Sequence, residues 1–370
     1  MFKSSNITDR SSSVQLIGKL LMTAFILAFF VFSVELTTDA FEHLGKGTAQ
    51  TILSVASNPF VGLFVGLLIT ALIQSSSTCT SMVIALVAAN TLSVKDAIPI
   101  VMGANVGTTL TSTIVALGFL SEKKSFRKAI SAAMLHDAFN ILSVMILFPL
   151  ELRYGILSNS AEWLAGMFSI NKTTAIGAET HQSASDLTYY LRKWTGNEWI
   201  VLAISSIMLF SSIKLFSSFI YKKLISTPRI LMQNLFFSSP WGSFAFGGAL
   251  TGMVQSSSIT TSFVVPLAAT GKVSVKQTFP FVMGANVGTT ITGFIAAYSQ
   301  SEAALIIAIV HFLLNASGTL IFMPFPPLRQ IPVRIAKNFG RLTLKNRLYG
   351  FAYIILTFFL IPFFLIYFSK

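Results

Sequence analysis

Charge and cysteine are what this sequence has least of. Of its 370 residues only 11% are charged, and Cys79 is the single cysteine. A soluble domain carries roughly 25% charged residues, so a chain that is 53% hydrophobic with a mean hydropathy of +0.73 needs lipid as its solvent. One cysteine excludes a disulfide framework and any cysteine-based metal site. Acids are nearly absent from the apolar runs, Asp137 being the only one well inside a run. No Lys or Arg falls in mid-run near the polar motifs described below. No nucleophile–base pair or metal-ligand cluster stands out, which argues against an enzyme and predicts no cofactor. The short polar stretch Met1 to Ser13 has no cleavable signal with an apolar core of its own, so the run after it is expected to stay as a helix.

What is present is basic, aromatic and repetitive. A net charge of +13 would suit nucleic acid, but the basic residues sit in short loops between apolar runs. In a membrane protein that pattern is a topology signal, so no nucleic-acid partner is expected. The 34 Phe fit a surface that faces lipid. Seven runs are long enough to span a bilayer: 14–36, 97–119, 126–150, 199–220, 278–299, 303–323 and 349–369.

Two further regions, 59–90 and 240–271, are each two short apolar arms around a polar Gln-Ser-Ser-Ser. Residues 59–73 would reach about 22 Å as helix, and 79–90 about 18 Å. Neither arm crosses the hydrocarbon core alone. A re-entrant hairpin, with its tip buried in protein, suits both regions better.

The basic loops 121–128, 221–229 and 329–347 are expected to be cytoplasmic. The N-terminus is then inside and the 152–197 loop outside, in the cell membrane. Hairpin 59–90 enters from outside and hairpin 240–271 from inside, so their tips point at each other. Segments 46–57, 227–238 and 325–346 read as interfacial, and the external loop as a partly ordered cap.

Residues 74–112 align with 255–293 at a constant offset of 181, and 23 of the 39 positions are identical. Pro59 and Thr70 match Pro240 and Thr251 in the same register. After a six-residue deletion His136, Asn140 and Pro149 match His311, Asn315 and Pro324. Three spans plus a hairpin per copy would invert the second copy relative to the first, the recurrent plan of secondary transporters. The expected architecture is therefore an all-α polytopic membrane protein with inverted repeats, each holding a re-entrant hairpin and a broken transmembrane helix. The expected divisions are 14–150, the 151–198 loop, 199–324, and a 325–370 interfacial segment with a final span. A duplicated structural protein with Ser and Thr as helix glue is the plainer reading. It explains scattered hydroxyls, but not the same polar cluster at both hairpin tips.

At each tip a helix should begin just after the serines. Ser75, Ser76 and Ser77, with Ser256, Ser257 and Ser258, offer hydroxyls beside free backbone N–H groups at the positive end of a helix dipole. Two such tips would cradle one small, multiply charged oxyanion, with Asn105 and Asn286 among its expected ligands. Gln74 and Gln255 can orient the tips or give a carbonyl oxygen to a cation. In Gly103–Thr109 and Gly284–Thr290 the glycines favour a locally unwound helix. Asn105, Thr108, Asn286, Thr289 and Thr292 would then line oxygen-rich pockets for a hard monovalent cation. A buried anion without basic side chains needs bound cations as counter-charge. Asp137, roughly 13 Å into the membrane from Lys128, is a natural cation ligand. His136, His311 and Cys79 read as packing residues.

These residues resemble a known family, the type II sodium-coupled phosphate cotransporters. The resemblance rests on Gln74–Ser81 and Gln255–Ser262, both Gly-Ala-Asn-Val-Gly-Thr-Thr blocks, His136-Asp137-Ala-Phe-Asn140, His311-Phe-Leu-Leu-Asn315 and the stretch Pro324–Gly340. It implies sodium and inorganic phosphate as partners, with phosphate at the first-copy serines. Gln255, Ser256, Thr289 and Thr292 would hold one sodium. Asp137 would go with a further sodium and charge-moving transport, with three sodium ions per divalent phosphate as the expected ratio. Animal members carry cysteines in the large external loop and an additional C-terminal helix, which this sequence lacks, so it looks like a bacterial member. It also lacks the soluble regulatory domain of some bacterial relatives. A homodimer is left open. Sulfate or arsenate in place of phosphate, and more distantly a channel or membrane sensor, remain the competing readings.

Overall fold

The structure is a computed structural model that describes residues 58–168, 193–225 and 239–368 (299 excepted), with isolated positions among 18–36 and 186–191 and at 237. Interfacial segments 46–57 and, apart from Phe237, 227–238 lie outside the described residues, as does most of the expected span 14–36. Every regular element among the described residues is helical. Among the described residues, five helical stretches are long and apolar enough to cross a membrane: Val94–Leu117, Lys123–Tyr154, Val275–Ala297, Glu302–Phe322 and Leu348–Phe368. They coincide with five of the seven expected spans. A sixth, 199–220, lies within a helix over Glu198–Ile225.

The first short pair is α1 (Pro59–Ile73) and α2 (Ser76–Ala88). Pro59 opens α1, where a missing N–H costs nothing, and the Asn58 side chain accepts from the Phe60 N–H at 3.0 Å. Next come α3 (Val94–Gly107), α4 (Leu110–Leu117), the long α5 (Lys123–Tyr154) and α6 (Ile156–Phe168). Helix α6 begins inside the expected external loop, giving its first part regular structure. After α7 (Glu198–Ile225) the pattern recurs: α8 (Pro240–Val254), α9 (Ser257–Ala269), α10 (Val275–Ala297) and α11 (Glu302–Phe322). Helix α12 (Pro326–Lys345) is amphipathic, burying Val333, Ala336 and Gly340 while exposing Arg334 and Asn338. The last span runs through α13 (Leu348–Ile355), a π turn and α14 (Ile361–Phe368).

Helix α1 packs on α3, and α8 on α10, by close backbone approach. A Cβ on Gly66 would meet the Ile100 carbonyl, and one on Gly103 the Leu63 carbonyl; Gly247 against Phe281 and Gly284 against Phe244 repeat this at the same offset. Small residues at four-residue spacing are how helices associate where lipid supplies no hydrophobic drive.

The sequence expectation of a broken helix in both copies needs correcting. The first copy breaks at Thr108–Thr109, whereas α10 is continuous through Thr289–Thr290. Ser112 Oγ donates to the Thr109 carbonyl at 3.0 Å, an i−3 bond that competes with the helix ladder. The equivalent second-copy residue is Gly293, which has no hydroxyl.

Helix α5 serves as a ruler for the whole assembly. At its C-terminal end Phe148 stacks edge-on with Phe60, at the base of the α1–α2 pair, with centroids 5.3 Å apart. Near its N-terminal end a Cβ on Gly271, just past α9, would lie 2.9 Å from Lys128 Nζ. Gly340 of α12 lies against Arg127 and Ser131. The bases of the two short helix pairs are thus some 20 residues apart along α5, about 30 Å at helical rise. One apolar cluster, including Ile98, Phe148, Ala161 and Ile307, packs one end of the bundle. Another, with Phe126, Phe139, Phe279, Phe322 and Ala336, packs the other.

Candidate functional site

Both short helix pairs turn at glutamine. Gln74 adopts φ 58° and ψ 28°, and Gln255 adopts φ 54° and ψ 27°, the left-handed region that glycine usually occupies. Holding a non-glycine residue there costs of order 1 kcal/mol. Spending that strain identically in both copies implies that the side chain matters. Each glutamine caps the arm before it through its N–H to Thr70 or Thr251. The next residue then caps the arm after it: Ser75 Oγ accepts from Thr78 N at 3.2 Å, and Ser256 Oγ from Ile259 N at 3.3 Å. The sequence Gln-Ser-Ser-Ser thus encodes one stop and one start.

The two tips meet. Ser77 Oγ donates to the Gln255 carbonyl at 3.1 Å, and Ser258 Oγ donates to the Gln74 carbonyl at 3.3 Å. Ser77 and Ser258 are repeat partners, as are the two glutamines, so the contact is reciprocal. Ser258 Oγ also lies 3.2 Å from Thr108 Oγ1, at the break between α3 and α4. Ser76 and Ser257 are buried, while Ser75 and Ser256 are half-buried. Gln74 is exposed, whereas Gln255 is 5% exposed. Near-identical backbones therefore sit in unequal surroundings.

Asn105 and Asn286, expected among the anion ligands, have amides engaged elsewhere. Asn105 Nδ2 donates to Asn315 Oδ1 at 3.0 Å and to Asn140 Oδ1 at 3.3 Å. Asn286 Nδ2 donates to the same Asn140 oxygen at 2.5 Å, and Asn140 Nδ2 returns a bond to the Asn105 carbonyl at 2.7 Å. His136 Nε2 lies 2.8 Å from Asn286 Oδ1. This network ties α3, α5, α10 and α11 together in a setting where an unsatisfied amide is costly. Asn140, Asn315 and His136 belong to it, although only their recurrence in both copies marked them in the sequence.

The expected cation ligands divide into two groups. Thr289 Oγ1 donates to the Ala285 carbonyl at 3.1 Å. Thr292 Oγ1 is buried with no hydrogen-bond partner, as are Ser81, Ser262, Thr70 and Thr251 hydroxyls. Asp137, fully buried in the middle of α5, receives a long bond from Thr113 at 3.4 Å on Oδ2. Its Oδ1 has no partner. Thr109 and Tyr353 also flank this carboxylate. Tyr353 arrives from α13, more than 200 residues along the chain, and no motif in the sequence singles it out.

The comparisons with known proteins agree on one family. A family profile described as Na+/Pi-cotransporter matches residues 29–166 and 207–340. Sodium-dependent phosphate transport protein 2A of Mus musculus is 32% identical over 427 residues, covering 93% of this chain and 67% of its own length. The 2A protein of Ovis aries is 31% identical, covering 95% of this chain and 68% of its own length. The 2B protein of Homo sapiens is 30% identical, covering 94% and 64%. No solved structure matches. The matched spans contain both tips, both Gly-Ala-Asn blocks and Asp137, and the chain belongs to the Na+/Pi-cotransporter family.

Proposed function

We propose that the protein is a secondary transporter, not an enzyme, which carries inorganic phosphate into the cell together with sodium. The observation that carries this reading is the reciprocal contact between the two tips, Ser77 to Gln255 and Ser258 to Gln74. It brings the starts of α2 and α9 face to face, and two helix N-termini favour negative charge between them. Phosphate is held by Ser75, Ser76, Ser256 and Ser257, with Asn105 and Asn286 behind it fixing α3 and α10. The relatives' names supply the anion and its coupling ion.

Sodium supplies the counter-charge that the protein withholds. One ion sits with Gln255, Ser256, Thr289 and Thr292, where the unpartnered Thr292 hydroxyl gains a ligand. Gln74 and Thr108 form the related position in the first copy. A further ion lies against Asp137, whose unpartnered Oδ1 gains a charge-assisted contact. With three sodium ions per divalent phosphate the cycle moves net charge.

The bases of the two helix pairs lie at opposite ends of α5, which supports opposed re-entrant hairpins in inverted repeats. On this reading the N-terminus and α12 are cytoplasmic and the loop after α5 is external. Exposure of Gln74 beside burial of Gln255 fits one access state of an alternating cycle. Uptake of radiolabelled phosphate into proteoliposomes tests the function. Uptake should require an inward sodium gradient and resist excess sulfate. Sodium-independent uptake, or none, removes the proposal.

A further inference from the structure

A cavity of about 290 Å3 opens among the starts of α8, α10 and α12. It is lined by Ser239 and Ser243 from the α8 region, Lys276 and Gln277 from α10, and Arg329 and Gln330 from α12, together with apolar residues. It is separate from the tip site, since Ser243 lies 12 residues before Gln255, about 18 Å along α8. Among the described residues its lining has two cations, Lys276 and Arg329, and no acid.

Three features suit it to an anion. Ser243, one of the lining residues, is 1% exposed, and its buried Oγ has no hydrogen-bond partner among the described residues. Helix α12 starts here with no side-chain cap, since Phe325 occupies the N-cap, leaving the positive end of its dipole uncompensated. Arg329 is held in place, its Nε donating to the Met323 carbonyl at 3.1 Å and its Nη2 to the same oxygen at 2.5 Å. Other guanidinium donors are left over.

The duplication provides an internal control. At the same offset the first copy has Gly62 for Ser243, Asp96 for Gln277, and Lys95 for Lys276. The hydroxyl is missing there, and the residue after the lysine is an acid, which accepts from Ser93. Lysine without a neighbouring acid, together with the serine, is found in the second copy, so this combination is not a by-product of the repeated packing.

The geometry points to a second anion site in this cavity, which binds a phosphate group through Lys276, Arg329 and the Ser243 hydroxyl. The group is either the headgroup phosphate of an anionic lipid or free inorganic phosphate. Trp241, 58% exposed in the first turn of α8, and exposed Phe325 and Leu328 on α12 are the side chains expected at a lipid headgroup boundary.

The test uses the purified full chain in neutral detergent with choline replacing sodium. Its thermal midpoint is followed against dioleoylphosphatidylglycerol, inorganic phosphate or uncharged dioleoylglycerol. The midpoint should rise saturably with a phosphate-bearing probe and not with dioleoylglycerol. Lys276→Gln with Ser243→Ala should remove at least half of the rise, and Lys276→Gln alone, at an exposed position, covers the case where the double variant does not fold. Lys95→Gln should leave the rise intact. A response to phosphatidylglycerol alone assigns the site to lipid, and a response to inorganic phosphate assigns it to the free anion. No response to either probe, or equal loss in Lys95→Gln, overturns the site.

Discussion

Asp137 shows most sharply what a single residue does in this molecule. It is the only carboxylate in the middle of α5, with no close hydrogen bond on Oδ1, a 3.4 Å bond from Thr113 on Oδ2, and only the hydroxyls of Thr109 and Tyr353 beside it. A carboxylate so thinly solvated calls for a cation beside it. Asp137→Asn keeps the volume and removes the charge. Current through sodium- and phosphate-loaded proteoliposomes should fall at least tenfold relative to labelled phosphate uptake. An unchanged ratio of current to uptake would falsify the role given to Asp137. Asn140 acts differently, as the oxygen that both Asn105 and Asn286 share. Asn140→Leu leaves the Asn286 amide and the Asn105 carbonyl without these partners, at about 1–3 kcal/mol for each buried group left unsatisfied. The thermal midpoint should drop by several degrees, and an unchanged midpoint would show that the network does not hold the four helices.

At the scale of elements, the sequence carried the short helix pairs almost to the residue. The regions 59–90 and 240–271 became α1–α2 and α8–α9 because Pro starts each pair and Gln-Ser punctuates it, all local signals. The glycines were harder to read. A glycine pair in an apolar run can mean a helix that unwinds or a neighbour that comes close, and local sequence does not separate these. Here Gly103 and Gly284 chiefly admit the α1 and α8 backbones. The asparagines posed the same difficulty, since Asn105 finds its partners 35 and 210 residues away. Tyr353 lies beside Asp137 although it belongs to the last span, 216 residues further along the chain. Gly103→Ala tests the close approach, since its Cβ would strike the Leu63 carbonyl, a backbone atom that cannot rotate away. Overpacking of this kind costs about 1–3 kcal/mol or more, and folded yield and midpoint should both fall. Gly166→Ala in α6, which meets nothing within 4 Å, should be neutral or slightly stabilising. Equal effects in the two variants would remove the argument.

For the whole molecule the decisive relation is that the two helix pairs are based at opposite ends of α5. The 32 residues of α5 span about 48 Å as helix, more than a bilayer's hydrocarbon core of roughly 30 Å. Groups tied to its two ends should therefore face different compartments. Exposed Glu162 lies on α6, just past the end that touches the α1–α2 pair. Exposed Asn338 lies on α12, near Gly340, which contacts the other end at Arg127 and Ser131. Because Cys79 is the only cysteine and is buried, Cys79→Ser gives a clean background for labelling. In intact cells an impermeant maleimide should label Glu162→Cys and spare Asn338→Cys until the membrane is opened. The basic loops predict that polarity through the positive-inside rule, while the α5 geometry predicts only that the two sites differ. Labelling of Asn338→Cys alone would reverse the orientation yet keep the opposed pairs. Labelling of both from outside would break the opposed arrangement itself, and with it the physical basis for placing the two tips against each other between the two faces.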